Sequence, residues 1–210
     1  MIEAPFFKNV KKNIQKKGDP LCCILFAPTF DKISESDILP RLQYLNSRAG
    51  VNIDFYCVGY MGHANKSDFP DMKELGVSKY KDDKEIPWSF SQSKFSEFVD
   101  EMEKSTSWKY SGGTELVILD SHANFSNTIV FKVDKMIKDG AIDNVNELLE
   151  ALIQHSRKDI KTIEKFSLNG LGEKSSEILV ESIMKLLPKG LKSLSGIWTK
   201  GKYYTINSIE

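Results

Sequence analysis

Two apolar segments near the middle of the chain constrain the fold more than any other feature. The first, residues 114–121, contains the run Leu-Val-Ile-Leu, which is typical of a strand covered on both faces. The second, residues 128–136, alternates, with Ile129, Phe131 and Val133 on one predicted face, as in a strand with one face in water. Because a short connection separates them, we expect two neighbouring antiparallel strands.

Two further strands are predicted upstream of this pair. Residues 21–27 are almost entirely apolar and are expected at the centre of the sheet, whereas residues 51–60 alternate apolar and polar side chains. Between them a helix is predicted to begin at Ser34 or Ser36 and to end at Gly50. A strand–helix–strand unit of this kind favours parallel pairing through a right-handed crossover.

A helix is also predicted after the apolar pair, beginning next to Asn144. Asn144 and Glu147 have the spacing of a capping box, in which each side chain satisfies a backbone N–H at the start of the helix. Apolar residues then recur at helical spacing: Val145, Leu148, Leu149, Leu152 and Ile153. Such a stripe has to be buried, and the predicted hairpin is the nearest apolar surface.

Residues 61–87 lack hydrophobic periodicity and contain glycine, proline and a run of charges. They predict a long loop, and loops of this length inside a compact domain are often functional. A helix is expected to follow, with Ser91 or Ser93 as its cap and with Phe95 and Phe98 on its apolar face.

Three aromatic residues, Trp88, Trp108 and Tyr110, lie outside the apolar stripe of that helix. Aromatic residues often anchor protein interfaces. We therefore expect a recognition surface formed by the 61–87 loop and these three side chains.

The two ends of the chain are expected to be appendages. Residues 1–20 carry five Lys against two acidic residues and predict a basic arm, either loose or forming a short helix. Residues 158–210 predict mainly helix, with a small hairpin near residues 196–206. The predicted organisation is thus an arm, a sheet domain at residues 21–157 and a helical extension.

Charge and cysteine content narrow the functional classes. The 29 basic and 29 acidic residues balance, so no overall field favours nucleic acid or a membrane surface, and no apolar run reaches the ~20 residues of a membrane helix. Cys22, Cys23 and Cys57 show no spacing pattern, which predicts reduced thiols in a cytoplasmic protein without a secretory signal. All three lie in predicted strands and are expected to be buried and unreactive.

The order of the predicted elements resembles the thioredoxin-like fold over residues 21–156. That family's Cys-x-x-Cys is missing, since residues 28–36 contain no Cys, and Ser111-Gly-Gly-Thr114 stands where a cis-proline usually precedes the third strand. The resemblance implies an α/β fold with a central mixed sheet and helices on both faces, without the redox chemistry. A flavodoxin-like or other three-layer sheet is the alternative.

One set of titratable residues is predicted at an edge of the sheet. His63 follows the second predicted strand and His122 the third, and if these strands were parallel both would lie at the same edge, together with Asp31 and Asp120. This set is the candidate for acid–base or metal-dependent catalysis. The histidines lack the spacing of metal ligands, so neither a metal nor a cofactor is predicted.

The function expected from the sequence is a non-catalytic binding or sensor module with a protein partner, acting in a multi-protein bacterial system. The missing motifs, the long loop and the aromatic residues favour it. The first alternative is an enzyme using the Asp and His set, and the second is a thiol-redox protein. Neither nucleic acid nor membrane is indicated, and a homo-oligomer remains open.

Overall fold

A computed structural model describes residues 2–17, 21–41, 44–45, 48, 53–79, 85–119, 123, 125, 128–158, 172–187, 203–207 and 209. The strands of this part of the chain are β1 Ile2–Ala4, β2 Leu21–Phe26, β3 Ile53–Val58, β4 Tyr60–Gly62, β5 Lys73–Lys79, β6 Glu85–Phe90, β7 Glu115–Leu119, β8 Ile129–Lys132 and β9 Thr205–Asn207. Its α-helices are α1 Phe7–Lys17, α2 Gln92–Ser105, α3 Val133–Lys138, α4 Val145–Lys158 and α5 Gly172–Leu186. A helical segment after β2 includes a π-helical turn, Ser34–Ile38, and a 3₁₀ turn, Leu39–Arg41.

The described strands form two sheets. The larger has six strands in the order β1-β3-β2-β7-β8-β9. Strand β3 pairs in parallel with both β1 and β2, whereas the β2–β7, β7–β8 and β8–β9 pairs are antiparallel. The protein is therefore an α/β protein with a mixed sheet, as predicted, and both the parallel first pair and the antiparallel last pair are confirmed.

Strands β2 and β7 lie at the centre of the sheet because both are apolar along nearly their whole length. Every residue of the two strands is buried, which requires cover on both faces of the sheet. At the end of β2, the ring of Phe26 lies 5.8 Å from Phe98 of α2 and 4.8 Å from Trp108. Each such side chain contributes about 1.5–3 kcal/mol when it leaves water.

The predicted loop at residues 61–87 is wrong in part, because strands occupy residues 73–79 and both of its ends. It contains residues 61–62 of β4, the whole of β5 and residues 85–87 of β6. These strands form a three-stranded antiparallel sheet in the order β4-β6-β5. The pairing of β5 with β6 is interrupted between Glu74 and Gly76, and β5 exposes polar and charged residues as well as Val77. A bulged, exposed strand lacks the alternation that marks a strand in a sequence.

The predicted strand at residues 128–136 extends too far. Strand β8 ends at Lys132 and α3 begins at Val133. Val133 and Met136 are both buried, three positions apart on one side of a helix. Val133 also fits the alternation of the preceding strand residues, so the sequence pattern does not show where the strand ends. The other predicted strands, 21–27, 51–60 and 114–121, contain β2, β3 and β7. Residues 51–52 and 120–121 of these predictions lie outside the described residues.

Both ends of the chain add strands to the large sheet. Residues of the predicted basic arm form β1 and α1, with Phe7 buried, and β9 pairs with β8. The rest of the hairpin predicted near residues 196–206, and a helix predicted around residues 160–166, lie outside the described residues. The division into three domains stays a prediction.

Candidate functional site

A tight turn after β2 presents an aromatic side chain to solvent. The backbone N–H of Asp31 donates to the carbonyl of Pro28 at 3.0 Å and closes the Phe30 turn, residues 28–31. Phe30 is 66% exposed, the most exposed large apolar side chain among the described residues. The turn lies at the edge where β2 and β3 end and β7 begins, since Phe26 pairs with Glu115.

Asp31 fixes this turn with both carboxylate oxygens. Its Oδ1 accepts from the backbone N–H of Ile33 at 3.1 Å, so Asp31, rather than the predicted Ser34 or Ser36, caps the helical segment that follows. Its Oδ2 accepts from the Thr114 hydroxyl at 2.6 Å, a length typical of a hydrogen bond to an ionised acceptor. The side chain therefore ties the Phe30 turn to the start of β7.

A second carboxylate approaches the same threonine. Oδ1 of Asp134, in the first turn of α3, accepts from the Thr114 backbone N–H at 2.9 Å. Burial, together with the negative charges of Asp31 and Glu115, raises the pKa of Asp134 to about 6, and the hydrogen bond from the Thr114 N–H limits this rise. The charge of Asp134 therefore changes near pH 6.

The third carboxylate, Glu115, is 1% exposed at the first position of β7. Its Oε2 accepts from the Trp108 indole N–H at 2.9 Å, and its Oε1 accepts from the Ser111 backbone N–H at 3.3 Å. Burial raises the pKa of Glu115, while these two donors act in the opposite direction. Glu115 therefore anchors the loop that leads into β7.

The three aromatic residues predicted to form a recognition surface are buried or partly buried. Trp88 is 5% exposed and Trp108 is 2% exposed, so both belong to the core and cannot anchor an exposed interface in this structure. The ring of Trp108 packs against Phe26 and Tyr110, and Trp88 belongs to the hydrophobic core cluster. Tyr110 is partly buried, and its hydroxyl donates to the Gly113 carbonyl at 2.7 Å.

The predicted Asp and His set is not brought together by the described residues. Asp31 is held by Thr114, whereas His63 lines a separate cavity of about 260 Å³ near Glu3, and no described contact joins Asp31 to His63. Asp120 and His122 lie outside the described residues. The parallel pairing on which the set depended is wrong, because β7 runs antiparallel to β2 and ends at the opposite edge of the sheet.

The thiols are buried, as predicted. None of the three cysteines, Cys22, Cys23 and Cys57, forms a disulfide bond, and all three are inaccessible to solvent. Burial raises the pKa of Cys57 to about 12 and raises that of Cys23 as well. Both groups are therefore poor thiolates at neutral pH, which disfavours the thiol-redox alternative.

Sequence reasoning missed Phe30, Thr114, Glu115 and Asp134. The order Pro28-Thr-Phe-Asp31 directly after a strand is a turn signal that could have identified Phe30. The carboxylates carry no such local signal, because their proximity depends on how β7, β8 and α3 meet in space.

Comparisons with protein-family models, with curated proteins and with solved structures each give no match. Among the described residues, no group of three or more His, Cys, Asp or Glu side chains is arranged to hold a metal ion. None of the described helices is long and apolar enough to cross a membrane.

Proposed function

We propose that the protein is a non-catalytic binding module on a thioredoxin-like scaffold, with a protein partner in a multi-protein bacterial system. The Phe30 turn is the proposed recognition element, and its partner presents an apolar pocket next to a Lys or Arg side chain. The observation that carries this proposal is the 66% exposure of Phe30 on a turn held by the hydrogen bonds of Asp31.

The strand topology supports the scaffold. The parallel β2–β3 pair, the antiparallel β7–β8 pair and the helices between them follow the element order of that fold. Thr114 stands where the family's cis-proline would lie, and the described chain contains no cis peptide bond. The Phe30 turn follows the first central strand, as the family's Cys-x-x-Cys does. On this proposal the turn binds a partner and carries out no thiol chemistry.

An exposed aromatic side chain on a fixed turn is well suited to binding. Burying a phenylalanine ring in a partner contributes about 1.5–3 kcal/mol. Because Asp31 already holds the turn, little backbone freedom is lost on association. Residues with these properties are typical of the few that dominate the energy of an interface.

The carboxylates beside the turn indicate the charge of the partner. Asp31 and Asp134 both bind Thr114, and no Lys or Arg forms a described salt bridge with either. A cationic side chain placed beside Phe30 would be attracted to both carboxylates, and a guanidinium could donate to them directly. This attraction would weaken with salt, because the edge is close to solvent.

Photocross-linking tests the proposal. We expect a benzoylphenylalanine placed at position 30 of the full-length protein to form a defined adduct in native lysate. Asp31→Asn should reduce the yield, because it weakens the bond to Thr114 that fixes the turn, and high salt should reduce it too. The matched control places the same cross-linker at Ile178, an apolar residue of α5 that is 50% exposed.

Equal adduct formation at positions 30 and 178, or adducts at position 30 that are insensitive to Asp31→Asn, would contradict the proposal. The variant should first be shown to fold, by its circular dichroism spectrum and its unfolding transition.

An acid–base enzyme is the second candidate, and the pKa of about 6 for Asp134 favours it. A carboxyl group with such a pKa can exchange a proton near neutral pH. A panel of chromogenic ester, phosphate and glycoside substrates tests this candidate. Hydrolysis that is lost in Asp134→Asn, with a pH profile whose midpoint lies near 6, would favour it, and hydrolysis unaffected by the substitution would exclude Asp134 as the catalytic group.

A further inference from the structure

The exposed side of α1 carries only basic and neutral polar residues. The helix contains five Lys and no acidic residue, although basic and acidic residues are equal in number over the whole chain. Lys8, Lys12 and Lys16 are exposed and follow one another at intervals of four residues. This spacing places them along one ridge of the helix, about 6 Å apart along its axis. We call these three residues the lysine ridge.

The apolar side of α1 is already used by the fold. Phe7, Val10 and Ile14 are buried, and the ring of Phe7 lies 5.3 Å from the ring of Phe98 in α2. The helix cannot turn this side toward another molecule without leaving the core. Only its polar side is therefore available for further contacts.

The lysine ridge lowers the stability of the helix that carries it. Like charges four residues apart on a helix repel each other, and Lys12 has such a neighbour on both sides, Lys8 and Lys16. Lys8 also lies in the first turn, which contains no acidic residue and where the helix dipole disfavours a positive charge. None of the three forms an ion pair with a residue that the structure describes. An uncompensated cost of this kind is expected where a residue pattern serves binding.

Two further lysines widen the positive surface next to the ridge. Lys11 and Lys104 line a cavity of about 350 Å³ between α1 and α2, together with Lys8 of the ridge. Nζ of Lys11 lies 5.5 Å from the ring centroid of Phe7, a cation–π distance that keeps its charge beside the ridge. Four ammonium groups of α1 and one of α2 thus face the same region of solvent.

The chemistry of this surface favours a duplex nucleic acid over other polyanions. Protein interfaces are depleted in Lys and usually contain aromatic anchors, but no residue of α1 is among the exposed large apolar residues of the described chain. Helices that lie on membranes insert their apolar side into the lipid, and that side of α1 is buried. Single strands are usually bound by exposed aromatic rings, whereas a duplex can be held by phosphate contacts alone.

We propose that the lysine ridge binds the phosphate backbone of duplex nucleic acid without sequence specificity. Phosphate contacts position a protein on a duplex but do not read its bases. The exposed side of α2 carries Glu97, Asp100 and Glu101, so the duplex lies along α1 and is repelled from α2. The surface shares no residue with the Phe30 turn, and the inference is independent of the function proposed for that turn.

Fluorescence anisotropy of a labelled random-sequence duplex, titrated with the full-length protein, tests the inference. We expect saturable binding at low salt, with a slope of log Kobs against log[salt] of about −3 to −4, because the ridge and Lys11 would neutralise about four phosphates. Combining Lys8→Gln, Lys12→Gln and Lys16→Gln should weaken binding by at least about tenfold and reduce the slope by about 3. Duplex DNA and duplex RNA share this backbone, and the tighter of the two is the ligand.

Two controls separate the ridge from net charge. Lys32, Lys73 and Lys138 are exposed on other elements, and replacing all three by Gln changes the net charge equally. This control should keep the affinity within about twofold, because it removes no phosphate contact. Glu101→Gln should strengthen binding, since it removes a negative charge from the cavity that Lys8 lines.

Melting temperatures show whether the ridge variant is folded. It should melt at the wild-type temperature or above, because the like-charge repulsion within α1 is relieved. If the triple variant fails to fold, the single variant Lys12→Gln still tests the inference, since it should reduce the salt slope by about one. The inference is overturned if neither duplex binds at low salt or if the control variant loses as much affinity as the ridge variant. Tighter binding of phosphatidylserine vesicles or of poly-glutamate than of either duplex would also overturn it.

Discussion

Thr114 is the residue at which the carboxylates of the candidate site meet. Its hydroxyl donates to Asp31 and its backbone N–H donates to Asp134, so one residue satisfies two negative groups that repel each other. The repulsion disfavours ionisation of Asp134 in particular, since the Asp31 carboxylate already accepts hydrogen bonds from two donors. Ionisation of Asp134 should therefore lower the stability of the protein.

The pH dependence of unfolding tests this cost. The pKa of an aspartate in an unfolded chain is about 3.9, and that of Asp134 in the folded protein is about 6. Between these values the folded state binds more protons than the unfolded state, so this group makes the free energy of unfolding decrease as the pH rises from about 4 through about 6. Asp134→Asn should flatten that decrease and stabilise the protein at pH 7 by roughly 1 kcal/mol, a value reduced for solvent screening.

Urea unfolding at several pH values measures this effect. Asp100→Asn, on the exposed side of α2, is the matched control for loss of a carboxylate and should not reproduce the gain at pH 7. A variant at position 134 with the pH dependence of wild type would show that the charge of Asp134 has no influence on folding.

Gly113 is required by the position of Asp134. A Cβ atom at residue 113 would overlap Oδ2 of Asp134, so Gly113→Ala forces that carboxylate away from Thr114. We expect a loss of roughly 1–3 kcal/mol in the free energy of unfolding, as for other substitutions that force a neighbour to move. A double-mutant cycle with Asp134→Ala separates the causes, since the cost should largely disappear in that background. An undiminished cost would place the strain elsewhere.

At the scale of elements, α2 is joined to the small sheet by Asp71. Ser91 is the N-cap of α2, as predicted, and accepts from the Lys94 N–H. Asp71, in the connection between β4 and β5, accepts from the Ser93 N–H at 2.7 Å and from the Ser91 hydroxyl at 2.8 Å. Desolvation opposes the ionised form, but these hydrogen bonds outweigh it and lower the pKa of Asp71. Asp71 is thus a second cap, supplied from another element.

Loss of this second cap should destabilise α2. We expect Asp71→Ala to lower the free energy of unfolding at pH 7 by about 1 kcal/mol, the usual effect of removing a cap, and to speed hydrogen exchange at Ser93. The effect should vanish as the pH falls through the lowered pKa of Asp71, because the wild-type carboxylate is then protonated. Asp68→Ala, in the same connection, is the control, and an equal loss there would show that Asp71 is not a specific cap.

The elements that could be predicted are those whose burial is evident from a run of neighbouring apolar residues. Strands β2 and β7 are covered on both faces, and their apolar runs show it. Strand β5 was missed because its charged, exposed residues and the bulge between Glu74 and Gly76 resemble a loop in the sequence. The change from β8 to α3 was missed because a buried Val133 fits both the two-residue period of a strand and the 3.6-residue period of a helix.

At the scale of the whole molecule, the candidate site could be predicted only in part. Asp31 was identified because it follows a strand, and that rule holds for any strand that ends at this edge. Asp134 and Glu115 reach the same edge only because β7 and β8 run antiparallel beside β2. From the sequence alone, Glu115 looks like a polar residue at the boundary of a strand. Asp134 looks like a solvent-facing residue of the longer strand predicted at residues 128–136.

The same topology makes the C-terminal strand β9 the outer cover of the large sheet. It pairs with β8, and the fully buried Ile209 donates from its backbone N–H to Phe125 and accepts from Ser107. A chain that ends at residue 202 should therefore expose the edge of β8 and self-associate through it. Loss of the buried isoleucine alone should cost at least about 2 kcal/mol.

Light scattering coupled to gel filtration, together with thermal unfolding, measures both effects. Tyr203→Ala in the full-length chain is the control. It removes an exposed ring whose centroid lies 3.1 Å from Nζ of Lys135 but keeps β9, so it should cost no more than about 1 kcal/mol and leave the oligomeric state unchanged. A truncated protein that keeps the oligomeric state and melting temperature of the full-length chain would show that the sheet is complete at β8.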